Sequence, residues 1–156
     1  MVRVKYRYIL AEILTEQYKN KLKLPLKEYD LKQAILAAVE QNHGDYGLAC
    51  IHAGFSIKVY NPATRILILR VRRCAVLVLS TTLPLITTAG KIQLAFRTLR
   101  LTGTIRSAFK FLIDFDKKKL MELVSKHKIS SEHEKQLSDM IMKCHKRLAK
   151  RKFEDQ

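Results

Sequence analysis

Ala75-Val76-Leu77-Val78-Leu79-Ser80-Thr81-Thr82-Leu83 is the stretch on which the fold turns. Val76, Val78, Thr81 and Thr82 are β-branched and favour a strand by propensity. An apolar helix looks the same over so short a length, so the pattern alone leaves both readings open. The segments around it are clearer. In the opening Val2-Arg3-Val4-Lys5-Tyr6-Arg7-Tyr8-Ile9-Leu10, the residues Val2, Val4, Tyr6, Tyr8 and Leu10 fall on one side. Arg3, Lys5 and Arg7 fall on the other, until Ile9 departs from the rule. Period two predicts a half-buried strand continuing to Leu14, with Tyr6 and Tyr8 on the core side.

After a Lys-rich link, Leu31, Ile35, Ala38 and Val39 recur at helical spacing. They predict a helix from Leu26 or Glu28 to about Asn42, with Gly44 placed for a C-terminal cap. Strands over 48–60 and 65–72 flank the turn sequence Asn61-Pro62-Ala63-Thr64 and form a hairpin. Residues 92–102 read as another strand, with Phe96, Thr98 and Arg100 alternating against Arg97, Leu99 and Leu101. Thr104 is a good N-cap for a helix whose inner face holds Ile105, Phe109, Leu112 and Phe115 or Ile113. Leu120, Leu123 and Val124 continue a helical stripe. Ser131 with Glu134 makes a capping box, opening a last helix with Leu137, Met140, Ile141, Cys144 and Leu148 on one side. With 75–83 helical, the order is β-α-β-β-α-β followed by extra helices. That is the ferredoxin-like split βαβ arrangement, which many RNA-binding modules use.

Charge points the same way. Between Asp45 and Asp114 there is no Asp or Glu, yet the stretch carries ten Lys or Arg: Lys58, Arg65, Arg70, Arg72, Arg73, Lys91, Arg97, Arg100, Arg106 and Lys110. Soluble surfaces normally mix signs, because mixing limits self-repulsion. A one-signed field becomes favourable only opposite a dense anion, and phosphate backbones are the commonest one. The formal charge of +16 over 156 residues puts nucleic acid ahead of an anionic membrane surface. Arg3, Lys5 and Arg7 interrupt any signal-peptide core, and Arg70, Arg72 and Arg73 make the most apolar window too costly for a lone membrane span. Cys50, Cys74 and Cys144 are odd in number and widely spaced, as suits free thiols in a reducing compartment. A soluble, intracellular chain is expected.

Six short motifs, in register, resemble the Pop-five family, the small basic protein subunits shared by ribonuclease P and ribonuclease MRP. They are the opening Met1-Val2-Arg3-Val4-Lys5-Tyr6-Arg7-Tyr8-Ile9-Leu10, Gly44-Asp45-Tyr46-Gly47, Tyr60-Asn61, Leu67-Ile68-Leu69-Arg70-Val71-Arg72, Leu83-Pro84 and Gly103-Thr104-Ile105-Arg106. The resemblance extends over about residues 1–115. It implies an α+β, ferredoxin-like (RRM-like) α/β sandwich, and so a helix at 75–85. It implies a ferredoxin-like RNA-binding domain over 1–115, while the helical stripes and the charge of the remainder read as a helical basic extension over 116–156. It also implies that the RNA subunit performs the cleavage with bound magnesium, while this chain binds no cofactor and supports that RNA. The expected partners are the catalytic RNA, a TIM-barrel protein subunit and other protein subunits, with no membrane. The expected location is the nucleus and nucleolus. Arg65 stands where the family usually places Gly in the turn before the third strand, and nothing carries over after Lys119.

The residues expected to meet RNA are Arg3, Lys5, Arg7, Arg70, Arg72, Arg73, Arg97, Arg100, Arg106 and Lys110. Arg3, Lys5 and Arg7 lie about 7 Å apart along one strand face, close to single-strand phosphate spacing, though a wet outer face would carry the same pattern. Arg70 and Arg72 share one side of a central strand, which is costly unless that side meets water or a partner. Thr104 opens a helix N-terminus beside Arg106 and Lys110, an arrangement that favours phosphate. Gly44-Asp45-Tyr46-Gly47 is similar to the loop that clamps backbone in KH domains, but there the loop joins two helices and here it is expected to lead into a strand. It reads as a structural turn. Lys146-Arg147-Leu148-Ala149-Lys150-Arg151-Lys152 serves equally as a nuclear address, an RNA arm or cations at a helix C-terminus.

No catalytic constellation stands out. Asp114 and Asp116 point to different faces of a helix, and His43, His52, His127, His133 and His145 show no zinc-ligand spacing with the cysteines. The expected function is therefore a noncatalytic subunit of ribonuclease P, and of ribonuclease MRP, in 5′ maturation of precursor tRNA and in rRNA processing. The alternatives are a free-standing or ribosomal-type RNA-binding domain, an assembly protein that meets acidic protein, and a metal-independent nuclease.

Overall fold

The computed structural model describes residues 4–18, 21, 23–127 and 139. The chain divides into two compact units, Met1–Ala108 and Phe109–Gln156. In the first, the element order is β1 (Tyr6–Leu14), α1 (Glu28–His52), β2 (Ser56–Asn61), β3 (Ile66–Arg72), α2 (Val76–Thr82), β4 (Thr88–Ala89), β5 (Ile92–Gln93) and β6 (Ala95–Thr102). Helix α3 (Ile105–His127) begins in the first unit and continues into the second. The main sheet has the order β2-β3-β1-β6, with every neighbouring pair antiparallel. With α1 and α2 as crossovers, this is the ferredoxin-like fold.

The ambiguous stretch is helical. Ala75, Leu79 and Leu83 recur every four residues and are fully buried in the core. The hydroxyls that argued for a strand are absorbed by the helix itself. Ser80 Oγ donates to the Leu77 carbonyl at 3.1 Å, Thr81 Oγ1 to the same carbonyl at 2.9 Å, and Thr82 Oγ1 to the Val78 carbonyl at 2.8 Å.

The phase of β1 is the reverse of the expectation. Its core side carries Ile9, Ala11 and Ile13, packed with Leu67, Leu69 and Val71 of β3 beneath α1 and α2. Tyr6 and Tyr8 lie on the opposite face, half-buried, and Arg7 lies on the helix-covered side. The middle of β1 is buried on both faces, since Leu10 and Ile68 opposite it are also fully buried. Alternation at its outer end therefore reported polarity but not which side is the core.

Helix α1 departs from the expectation too. Gly44 has φ 62° and ψ −162°, a conformation open essentially to Gly alone, and it does end a helical segment. A second segment then runs to His52, so 48–52 is helical and β2 starts only at Ser56. The two segments close on each other at Gly47, where a methyl group would stand 2.3 Å from His43 Cβ. Gly44-Asp45-Tyr46-Gly47 is thus a kink between two helical segments, not a turn into a strand. Leu48, Ala49, Cys50 and Ile51 form a short apolar run, which period alone cannot assign.

The hairpin turn is as expected. Asn61 Oδ1 accepts from the Ala63 and Thr64 amides at 3.0 and 3.5 Å. Arg65 takes φ 58°, the left-handed backbone that suits Gly, and its guanidinium donates to the carbonyls of Tyr18 and Lys21. The link after β1 is thereby tied to the turn. The expected strand over 92–102 divides into β5, which pairs with β4, and β6. A bulge at Leu99 lets Leu10 face Arg100 and Ala11 face Thr98, so Arg97 and Arg100 share a face.

Thr104 caps α3 as expected, its Oγ1 accepting from the Ser107 amide at 3.2 Å. In the second unit, Phe111 and Phe115 stack at 6.0 Å, and Lys119 Nζ lies 4.8 Å from the Phe115 ring. Apart from Asp139, the expected last helix lies outside the described residues, as do the basic stretch 146–152, His133, Cys144 and His145.

Candidate nucleic-acid interface

Strand register brings Arg70, Arg72, Arg97 and Arg100 to the sheet face opposite α1 and α2. Arg72 pairs with Tyr6 and Arg70 with Tyr8, while Leu10 faces Arg100 and Glu12 faces Arg97. Two residues apart on one strand, Arg70 and Arg72 have Cα atoms about 7 Å apart. Like charges at that range repel by about 2 kcal/mol at an effective dielectric of about 20, and an anion between them reverses the sign.

The four arginines are not equivalent. Arg97 pairs with Glu12, whose side chain is almost wholly buried, and its charge is neutralised there. Arg70 lays its guanidinium over the Tyr6 ring, 4.5 Å from the centroid. The Nε atoms of Arg70 and Arg72 and the hydroxyl of Ser56, which pairs with Arg70 across β2 and β3, are buried and meet no hydrogen-bond partner among the described residues. Buried donors of this kind are rare unless something external completes them.

The other expected contacts are dispersed. Lys5 is exposed just before β1, and its carbonyl accepts from the Arg73 amide at 2.9 Å. Arg7 donates to the Tyr6 carbonyl at 3.0 Å from the helix-covered side, so it does not share a face with Arg70 and Arg72. Arg73 is exposed in the turn after β3, and Arg106 is exposed on the first turn of α3. Lys110 is exposed in the second unit. Arg3 lies outside the described residues. Sequence reasoning missed Tyr6, Gly54 and Ser56 as members of the arginine face. The signal was available in the odd-numbered aliphatics Ile9, Ala11 and Ile13, which set the core phase and send Tyr6 the other way.

Nothing among the described residues assembles as a reaction centre. No group of three His, Cys, Asp or Glu side chains is placed to hold a metal ion, and no helix is long and apolar enough to cross a membrane. A groove of about 470 Å³ beside α1 is lined by Tyr29, Asp30 and Gln33 with Leu85 and Thr88, an acid without a basic partner in that lining. Two phenols are raised above their ordinary pKa, Tyr46 chiefly by its hydrogen bond with Cys50 and Tyr60 by burial. Neither meets a partner that would make it an acid–base catalyst.

Residues 7–113 match the sequence model of the Rpp14/Pop5 family. The human ribonuclease P/MRP protein subunit POP5 is 31% identical over 128 residues, covering 80% of this chain and 77% of that protein. The zebrafish (Danio rerio) protein of the same name is 31% identical over 156 residues, covering 96% and 90%. A chain in a cryo-EM structure of yeast ribonuclease MRP superposes with a TM-score of 0.51 at 10% identity, covering 76% of this chain and 96% of that one. At such identity the likeness is one of fold.

Proposed function

Because this chain belongs to the Rpp14/Pop5 family, we propose that it is a protein subunit of ribonuclease P and ribonuclease MRP. The observation that carries the reading beyond family membership is the arginine face of the sheet, with Arg70 and Arg72 lacking carboxylate partners among the described residues. The chain supports the RNA and does not cut it. Guanidinium groups neutralise phosphates that a folded RNA must bring together, releasing condensed counterions as they do so. On this reading the divalent ions that such a reaction uses are held by the RNA.

The complex acts in 5′ maturation of precursor tRNA and in rRNA processing, in the nucleus and nucleolus. A TIM-barrel protein subunit is its direct protein partner, and the RNA-binding domain ends near residue 115. Recovery of the tagged chain from cells, with sequencing of the RNA it carries, tests the assignment; the RNA subunits of the two ribonucleases should dominate. Purified protein freed of the RNA subunit and given magnesium and precursor tRNA should release no product. Cleavage that tracks protein concentration through successive columns would overturn the RNA-catalysed reading.

A further inference from the structure

At the Tyr6 end of the sheet, β1, β2, β3 and the turn after α1 converge on one small volume. Arg72 runs across Gly54: a methyl group on Gly54 would stand 2.8 Å from Arg72 Cγ, 3.1 Å from Tyr6 Cε1 and 3.3 Å from Arg72 Nε. Tyr6 thus lies close to the backbone at Gly54 and has the guanidinium of Arg70 over its ring, 4.5 Å from the centroid. A tyrosine ring cannot satisfy the N–H groups of that guanidinium, and the Arg70 Nε–H has no partner among the described residues. Opposite Arg70 sits Ser56, whose hydroxyl is buried and without a partner, like the two arginine Nε atoms.

We propose that Arg70, Arg72 and Ser56 form a pocket for a single RNA phosphodiester, with Tyr6 and Gly54 as positioning residues. This rests on the RNA reading above and adds that part of the contact is geometric, not diffuse charge. The non-bridging oxygens accept from Arg70, Arg72 and the Ser56 hydroxyl once the side chains over these buried donors move aside. Tyr6 holds the Arg70 guanidinium over its ring. Its ring is occupied by that guanidinium, so it serves as a brace and not as a platform for a base. Gly54 is required because any side chain there pushes Arg72 aside. Its φ is ordinary, so an alanine would be unstrained in backbone and would act only through that displacement.

Charge-conserving variants of the full chain separate a pocket from a charged surface. Gly54→Ala removes no charge, Arg72→Lys keeps the charge and loses the planar fork, and Arg73→Lys makes the same exchange at an exposed site outside the pocket. The probe is a transcript of the ribonuclease P RNA from the same cells, with affinity measured across a salt series. Gly54→Ala and Arg72→Lys should each weaken binding by roughly 10-fold, and Arg73→Lys by less than about twofold. Melting curves accompany each variant, and Arg72→Lys decides the matter should Gly54→Ala fold poorly. Phosphate-ethylation interference should show one or two adjacent positions that block the wild type and lose their effect in Arg72→Lys. If the wild type binds and all three variants match it, the pocket is overturned while the RNA reading stands. If the wild type shows no salt-dependent binding, both fall.

Discussion

The two faces of the β2-β3-β1-β6 sheet share strands and differ in what they do. Toward α1 and α2, Ile9, Ala11, Ile13, Leu67, Leu69 and Val71 are all fully buried. On the other side only the middle is apolar, at Leu10, Ile66 and Ile68, and the ends carry Tyr6, Tyr8, Arg70, Arg72, Arg97 and Arg100. Aliphatic burial is non-directional and sets stability, whereas a guanidinium held at a fixed place on a strand is costly to bury and useful only toward an anion. A central strand can thus serve both faces at once, because its side-chain period is two.

The largest effect should come from the aliphatic face. Leu69→Ala removes a fully buried side chain from the centre of the core. It should cost about 2–5 kcal/mol in urea unfolding, while RNA affinity per folded molecule stays unchanged. An equal loss of affinity would mean that the two faces are not separable. On the cationic side, Arg106→Ala should weaken binding to the ribonuclease P RNA by roughly 1–3 kcal/mol. The slope of log affinity against log salt should flatten by about one unit, with the melting temperature held. A lowered melting temperature with unaltered binding would make Arg106 structural.

Arg97 sits on the same sheet face as Arg70 but is paired with Glu12. Arg97→Ala should therefore lower stability by about 1 kcal/mol, a modest figure because the arginine itself is half in water. RNA affinity should fall less than in Arg106→Ala. A large loss of affinity would show that the ion pair opens for RNA. At the hairpin, Arg65→Ala keeps the left-handed backbone and loses the bonds to the Tyr18 and Lys21 carbonyls. Arg65→Gly loses the same bonds but relieves about 1 kcal/mol of backbone cost, so it should melt above the Ala variant. The smallest effect belongs to Tyr60, whose buried hydroxyl has no partner among the described residues. Tyr60→Phe should leave stability within about 0.5 kcal/mol or raise it slightly. Burial lifts the Tyr60 pKa above 10.0, so the unfolded chain ionises first, and stability from this group is lost as pH rises past that value. The Phe variant should lack that loss in alkaline melts.

Much of this was legible in the chain before its structure. The hairpin turn, the Thr104 cap and the arginines on one side of β3 follow from residue type and period two. The helix at 75–83 did not follow from propensity, because hydroxyl side chains that favour strands also bond back to helical carbonyls. The core side of β1 was misread because Tyr6 and Tyr8 looked apolar beside Arg7, and a strand buried on both faces has no wet side to mark its phase. The pocket at Gly54 was beyond reach for a different reason. It joins Tyr6, near the start of the first unit, to residues 54–72 in its middle, and a glycine announces a close approach without saying to what.

The bulge at Leu99 has a genetic consequence. Leu99 is the one residue of β6 opposite no residue of β1, so an in-frame loss of its codon would close the bulge and leave Arg100 facing Leu10 and Thr98 facing Ala11 in a regular ladder. Phe96 would stay on the core side and Arg97 would stay opposite Glu12. Strand β3 has no such spare residue: losing one codon in the middle of Ile66–Arg72 would turn the side chains on one side of the gap to the other face. The gene should therefore tolerate a one-codon deletion at Leu99 and scarcely any within β3.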